Sequence, residues 1–163
     1  MKTLFVLRHA KSSWEDADLA DFDRPLNERG KGAARFMGKL MHGHGFQPEI
    51  ILASPAVRAR RTAAVIMEAG ELRGILQFEP RIYEASPRGL RQVVSEMDDS
   101  IASLMIVGHN PGIESFILYL TGNLEPMPTA ALAVIDVGID EWNAISEGSG
   151  KLRRIFRPKD EMK

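Results

Sequence analysis

The stretch TLFVLRHA, residues 3–10, decides the fold, because five mostly apolar residues lead directly into an arginine and a histidine. Two later stretches also consist of an apolar run followed by residues that include an arginine or a histidine: IILASPAVR at residues 50–58 and LMIVGHNP at residues 104–111. Short apolar runs bounded by polar or turn-forming residues are typical of buried strands in a parallel sheet. The three runs therefore predict strands at residues 3–7, 50–53 and 104–107.

Helical patterns alternate with these strands. The helices are predicted at residues 28–42, 56–72, 88–97 and 111–120, and further strands at residues 76–78, 131–137 and 152–157. Asn27 is predicted to be the N-cap of the first helix, and Ser54-Pro55 to be the cap and first turn of the second. We expect the last two strands to form a hairpin at the sheet edge.

This order of elements predicts the fold class. Strands that alternate with helices favour an α/β fold with a mostly parallel central sheet and helices on both faces. The length of 163 residues is that of one domain with one core, so we expect a single domain over residues 1–163.

Composition excludes several classes of function. The net charge of −1 gives the protein no global field that would attract nucleic acid or an anionic membrane. No apolar stretch is long enough to span a bilayer. The chain has no cysteine, which excludes a disulfide scaffold and a thiol nucleophile and is compatible with a reducing compartment. We therefore expect a cytoplasmic protein that binds neither nucleic acid nor membranes.

Four cationic or titratable residues follow the three predicted strands: Arg8, His9, Arg58 and His109. Because the carboxyl ends of parallel strands meet at one edge of the sheet, we expect these residues to converge. A neutral imidazole can attack phosphorus and hold a phosphoryl group, and a guanidinium can bind two phosphate oxygens at once. His109, as an imidazolium, would bind a phosphoryl oxygen in the transition state. The four residues predict a phosphoryl-transfer site.

Each of these residues also has a plainer explanation when it is taken alone. A histidine at a strand end is usually structural, and an arginine in the first turn of a helix is usually solvated. The functional interpretation depends on their coincidence and on the lack of a neutralising carboxylate beside them in the sequence. The sequence shows no cluster of histidines and carboxylates that would hold a metal, so we expect neither a metal nor a cofactor.

Four motifs, in this order, resemble those of the histidine phosphatase superfamily, which includes phosphoglycerate mutases and acid phosphatases. They are LRHA at residues 7–10, LNERG at 26–30, SPAVRARRTA at 54–63 and GHNP at 108–111. The resemblance covers nearly the whole chain and is greatest to the small, single-domain phosphohistidine phosphatases, which often carry alanine where Ala10 stands. It implies that His9 is the nucleophile and that Arg8, Arg58 and His109 complete the phosphate pocket.

Glu84 is a further candidate that this resemblance suggests. Larger branches of the superfamily use a carboxylic acid in the middle of the chain to protonate the leaving oxygen, and Glu84 lies about where that acid would fall. An imidazole leaving group needs such an acid less than an alkoxide does. A loop glutamate exposed to water is the alternative interpretation.

The expected function is hydrolysis of phosphoryl groups through a phosphohistidine on His9. Only residues 11–25 are long enough to cover the site, which favours a phosphorylated protein, such as a phosphohistidine-bearing signalling domain, as the partner. A small-molecule phosphomonoesterase or mutase is the alternative enzyme, and a phosphate-binding scaffold is the alternative without catalysis. The basic tail fits either a charged edge strand or a docking surface for an acidic phosphoprotein. Its cations are Lys151, Arg153, Arg154, Arg157, Lys159 and Lys163.

Overall fold

The computed structural model describes residues 1–162 and shows one six-stranded sheet in the order β3-β2-β4-β1-β5-β6. Its strands are β1 (Lys2–Arg8), β2 (Ile50–Ala53), β3 (Ile75–Phe78), β4 (Ser103–Gly108), β5 (Leu132–Val137) and β6 (Gly150–Phe156). Its α-helices are α1 (Glu28–His44), α2 (Val57–Gly70), α3 (Pro87–Ser95), α4 (Gly112–Thr121) and α5 (Pro158–Glu161). Single 3-10 turns lie at Asp21–Asp23, Pro80–Ile82 and Trp142–Ala144. Lys163, the last residue of the predicted domain and of the basic tail, lies outside the described residues.

Four neighbouring strands, β3, β2, β4 and β1, run parallel, and β5 and β6 add an antiparallel hairpin at one edge. β1 and β4 lie side by side, with Arg8 opposite Gly108. The predicted fold class and the predicted edge hairpin are therefore confirmed.

The core lies on both faces of the sheet because successive side chains of a strand point to opposite faces. Leu4 and Val6 of β1 pack with α3 and α4, as part of the larger buried cluster. Phe5 and Leu7 of the same strand belong to the other cluster, which α1 and α2 cover. A strand buried on both faces must be apolar throughout, which explains why the central strands are continuous apolar runs.

The start of α2 differs from the prediction. The helix begins at Val57, and its N-cap residue, Ala56, offers no side-chain hydrogen bond. Ser54 is fully buried at the end of β2 and is not the helix cap. By contrast, Asn27 caps α1 as predicted, because its side chain accepts a hydrogen bond from the Gly30 N–H. Within residues 1–162, no helix combines the length and the apolar character that crossing a membrane requires.

Candidate active site

A cavity of about 330 Å³ lies at the carboxyl ends of β1 and β4. Its lining includes four of the five predicted site residues, Arg8, His9, Arg58 and His109. The other lining residues are Lys11, Ser12, Trp14, Arg24, Asn110 and Thr129. The cavity therefore contains three guanidinium groups and two imidazoles, and none of its lining residues is a carboxylate.

His9 follows β1 directly, and its side chain is held in one orientation. Its Nδ1 lies 2.7 Å from the carbonyl oxygen of Ala10, so Nδ1 carries the proton and the lone pair is on Nε2. The Ala10 N–H in turn donates to Thr62 Oγ1 at 2.9 Å, which ties this turn to α2. Burial is the main cause that lowers the pKa of His9 to about 3, and the neighbouring His109, Arg58 and Arg8 add to it. His9 is therefore neutral at pH 7, the form in which an imidazole is a nucleophile.

The two predicted arginines are anchored in different ways. Arg8 Nη1 donates to the Met127 carbonyl oxygen at 3.1 Å. Arg58 donates from Nη1 to the Asp21 carbonyl oxygen at 2.7 Å and from Nη2 to Asp21 Oδ2 at 3.0 Å. The Nε atoms of both arginines are buried and have no partner among the described residues. Because an unpaired buried donor is costly, these atoms fit a site that binds an anion.

His109 follows β4, and its ring centroid lies 5.1 Å from that of His9. Its Nε2 is 2.8 Å from Ser54 Oγ, and its buried Nδ1 has no partner within residues 1–162. Ser54 Oγ accepts a hydrogen bond from the Ala56 N–H, which leaves its own proton available for His109 Nε2. In that arrangement, Nε2 is the acceptor, and Nδ1 carries the single N–H proton of the neutral ring and is a donor.

The surroundings of His109 determine its protonation state in the unliganded protein. Burial and the positive charge of Arg58 lower the pKa of His109 to about 4, against a smaller opposing effect of Asp21. The ring is therefore neutral at pH 7 in the protein alone, and the imidazolium expected in the transition state stays a prediction. A bound phosphate dianion would raise this pKa, because a nearby negative charge favours the protonated ring.

Asp21 is the most important residue that the sequence analysis missed. Its carboxylate accepts hydrogen bonds from the Tyr83 hydroxyl at 2.6 Å, from Arg58 at 3.0 Å and from Arg24 at 3.2 Å. The bond from Tyr83, followed by that from Arg58, lowers the pKa of Asp21 to about 2. Arg58 thus has a compensating carboxylate in the fold, although none lies beside it in the sequence. No local signal marks Asp21, which is one of four aspartates in residues 11–25.

Residues 11–25 form one wall of the cavity through Arg24 and Trp14. The Arg24 guanidinium carbon lies 3.4 Å from the Trp14 ring centroid, and Arg24 Nη1 donates to Ser12 Oγ at 2.8 Å. Trp14 is 75% exposed, so it lies at the cavity entrance and does not anchor this loop in the core.

Glu84 lies outside the cavity. It is exposed, and its backbone adopts the left-handed conformation with φ of 58°. The neighbouring Tyr83 faces the site instead, since its ring lies edge-on to that of His109 with centroids 5.4 Å apart. No group of three His, Asp or Glu side chains within residues 1–162 is arranged to hold a metal ion.

Comparison with known proteins identifies relatives over nearly the whole chain. The phosphohistidine phosphatase SixA of Escherichia coli is 26% identical, over 85% of this chain and 86% of its own. An uncharacterised chloroplastic protein of Arabidopsis thaliana is 29% identical, over 96% of this chain and 78% of its own.

Solved structures share the fold. A protein of Agrobacterium tumefaciens, provisionally identified as the phosphohistidine phosphatase SixA, superposes with a TM-score of 0.84. It is 27% identical, and the match covers 96% of this chain and 98% of the other. A SixA structure in complex with tungstate has the same fold, with a TM-score of 0.79 at 21% identity and coverage of 97% and 98%.

The family model of the histidine phosphatase superfamily (branch 1) matches residues 4–87, just over half of the chain. This segment contains Arg8, His9 and Arg58. The chain belongs to the histidine phosphatase superfamily.

Proposed function

We propose that this chain is a phosphatase that works in two steps through a phosphohistidine on His9. The proposal is based on the side chains that share the cavity. A neutral His9, whose lone pair is on Nε2, shares a cavity with three residues that each have one buried, unpaired nitrogen: Arg8 Nε, Arg58 Nε and His109 Nδ1. These donors match what the non-bridging oxygens of a transferring phosphoryl group require.

In the first step, the lone pair of His9 Nε2 forms a bond to phosphorus while the bond from phosphorus to the leaving atom breaks. Arg8, Arg58 and His109 stabilise the charge on the three equatorial oxygens. The leaving atom keeps the electron pair of the broken bond and takes a proton from solvent. In the second step, water attacks phosphorus, the bond to Nε2 breaks, and inorganic phosphate leaves while the water proton passes to solvent.

The acid–base chemistry of the site favours a protein phosphohistidine as the substrate. No carboxyl group in the described part of the chain lines the cavity, and Asp21, with a pKa of about 2, is ionised and cannot donate a proton at pH 7. An alkoxide leaving group needs an acid, whereas an imidazole has an ordinary pKa of about 6.5 and is protonated by solvent. The similarity to the SixA phosphatase of Escherichia coli supports the same substrate class. The lack of cysteine is compatible with the cytoplasm, the compartment that we propose.

Steady-state assays test this proposal. We expect kcat/KM on a phosphohistidine-bearing protein domain to exceed that on sugar phosphates and nucleotides by orders of magnitude. His9→Ala should abolish turnover, with His44→Ala as the control because His44 is exposed and lies at the end of α1. A preference of similar size for a small phosphate monoester would overturn the substrate assignment, and full turnover by His9→Ala would overturn the mechanism.

A further inference from the structure

A second groove, of about 740 Å³, adjoins the candidate active site. It shares two lining residues, Lys11 and Thr129, with the catalytic cavity, so the two spaces lie side by side. The rest of its lining comes from the first turns of α1, the segment before β5 and the end of the chain, at Arg29, Gly32, Ala33, Pro128, Pro158, Lys159 and Met162. We call this space the flanking groove.

The backbone joins the flanking groove firmly to the proposed nucleophile. The Lys11 carbonyl oxygen accepts a hydrogen bond from the Asn27 N–H at 3.0 Å, at the start of α1. The helix approaches Lys11 so closely that a Cβ on Gly30 would lie 2.1 Å from that oxygen. On the other wall, the Ala130 N–H lies 3.0 Å from the His9 carbonyl oxygen. A chain bound in the groove would therefore stand at a fixed position relative to His9.

The charge of the flanking groove is positive and not neutralised. Lys11, Arg29 and Lys159 are exposed, and none of them has an ion-pair partner within residues 1–162. Among residues 1–162, no carboxylate lines the groove. The nearby Arg154 and Arg157, in contrast, pair with Glu161 at 3.6 Å and with Glu125 at 2.9 Å. The three groove cations are therefore free to bind an external negative charge, whereas Arg154 and Arg157 are already paired.

Between its cations the groove has apolar surface, from Ala33, Pro128, Pro158 and Met162. Gly32 adds free space, because a Cβ at this position would meet nothing within 4 Å. Glycine is unfavourable inside a helix, and here neither packing nor backbone conformation requires it. A surface with apolar patches among exposed charges is typical of the contact area for another protein.

We propose that the flanking groove binds an acidic segment of the phosphorylated partner protein, next to its phosphorylated residue. The inference depends on the proposed function, since it presupposes a protein substrate. Charge complementarity identifies the occupant: the catalytic cavity already provides donors for the phosphoryl group, and Arg29 and Lys159, with Lys11 at the boundary of the two spaces, can bind further negative charges. Such contacts increase the association rate and the selectivity for one partner.

Two phosphohistidine peptides that differ only in their flanks test the inference. One carries glutamates on both sides of the phosphohistidine, and the other carries glutamines. The double variant Arg29→Gln/Lys159→Gln removes two groove cations, and Gly32→Trp fills the groove without a charge change. Arg73→Gln/Lys151→Gln is the charge-matched control, because both residues are exposed and lie near the amino ends of β3 and β6, opposite the cavity.

We expect the wild-type KM for the glutamate-flanked peptide to be lower than that for the glutamine-flanked peptide. This KM should rise with the salt concentration, because salt screens exposed charges. The groove double variant should raise this KM about fivefold, as expected for two exposed ion pairs, with kcat unchanged. Gly32→Trp should raise KM for both peptides, and the control should change neither. Equal wild-type KM values for the two peptides would overturn this inference but not the proposed function. So would a groove double variant that raises KM equally for both peptides. Failure to hydrolyse either peptide would overturn the proposed substrate and this inference with it.

Discussion

Asp21 holds the Arg58 guanidinium at two points. Its carbonyl oxygen accepts from Nη1 at 2.7 Å, and its carboxylate oxygen Oδ2 accepts from Nη2 at 3.0 Å. The same carboxylate binds the Tyr83 hydroxyl, and Tyr83 lies against His109. One loop residue thus fixes an arginine from α2 and an aromatic ring beside β4. Asp21 is a positioning residue, since it acts on the substrate through Arg58.

The substitution Asp21→Asn tests this role. It removes the charge of the carboxylate and weakens the contact with Nη2, while the bond from Nη1 to the backbone carbonyl oxygen remains, so Arg58 is held less firmly. Hydrogen bonds to charged groups contribute about 1.5–3 kcal/mol when buried, and Asp21 is about half exposed, so we expect kcat/KM to fall about tenfold. Asp23→Asn in the same turn is the matched control and should retain full activity. An unimpaired Asp21→Asn, or an equal loss in both variants, would contradict the role.

The two buried histidines should make the stability of the fold depend on pH. Their pKa values in the folded protein are about 3 for His9 and about 4 for His109, while the ordinary value is about 6.5. Between these limits, the unfolded chain binds more protons than the folded one. The free energy of unfolding should therefore fall as the pH drops below about 6.5.

Urea unfolding across this pH range measures the effect. The double variant His9→Gln/His109→Gln should lose less stability than the wild type between about pH 6.5 and about pH 4.5. The comparison isolates the histidines, because the pKa of Asp21 is lowered to about 2 and this carboxylate titrates below that range. Parallel stability curves for the two proteins would show that these histidines are not held neutral by burial.

Ser54 is expected to control which nitrogen of His109 carries the proton. Its hydroxyl lies 2.8 Å from His109 Nε2, and Ser54→Ala removes it. We expect kcat to fall about tenfold, while the loss of the two hydrogen bonds of this hydroxyl, with His109 and with the Ala56 N–H, costs about 2 kcal/mol of stability. Ser86→Ala removes a comparable serine bond at the start of α3, from the Gly89 N–H, and should lower stability without changing kcat. Unchanged kcat in Ser54→Ala would exclude this role.

Glu84→Gln distinguishes the substrate classes. Because Glu84 is exposed and outside the cavity lining, we expect less than about a twofold change in kcat/KM on phosphohistidine and on alkyl phosphates. A large loss on alkyl phosphates alone would instead identify Glu84 as the acid for an alkoxide leaving group and favour a small-molecule phosphomonoesterase.

The strands and the position of Arg58 could be predicted because they depend on local patterns. A strand buried on both faces must be apolar throughout, and the parallel topology then brings the strand ends together. The contact between Asp21 and Arg58 could not be predicted in this way, since it joins residues 37 positions apart through a loop.

Ser54 is a second residue whose long-range contact could not be predicted from the local sequence. The dipeptide Ser54-Pro55 is typical of a helix start, and the prediction of a cap followed from this local signal. In the structure its hydroxyl contacts His109, which follows a different strand. The neutral state of His109 could not be predicted from local patterns either, because it results from burial in the assembled fold.

The most direct test is to identify the residue that carries phosphate during turnover. The enzyme is mixed with a substrate labelled in its phosphoryl group, quenched rapidly under alkaline conditions and digested, and the labelled peptide is sequenced by mass spectrometry. We expect a base-stable, acid-labile phosphoryl group on His9, and no label in His9→Ala. A phosphoryl group on any other residue, or a labelled and active His9→Ala variant, would contradict this expectation.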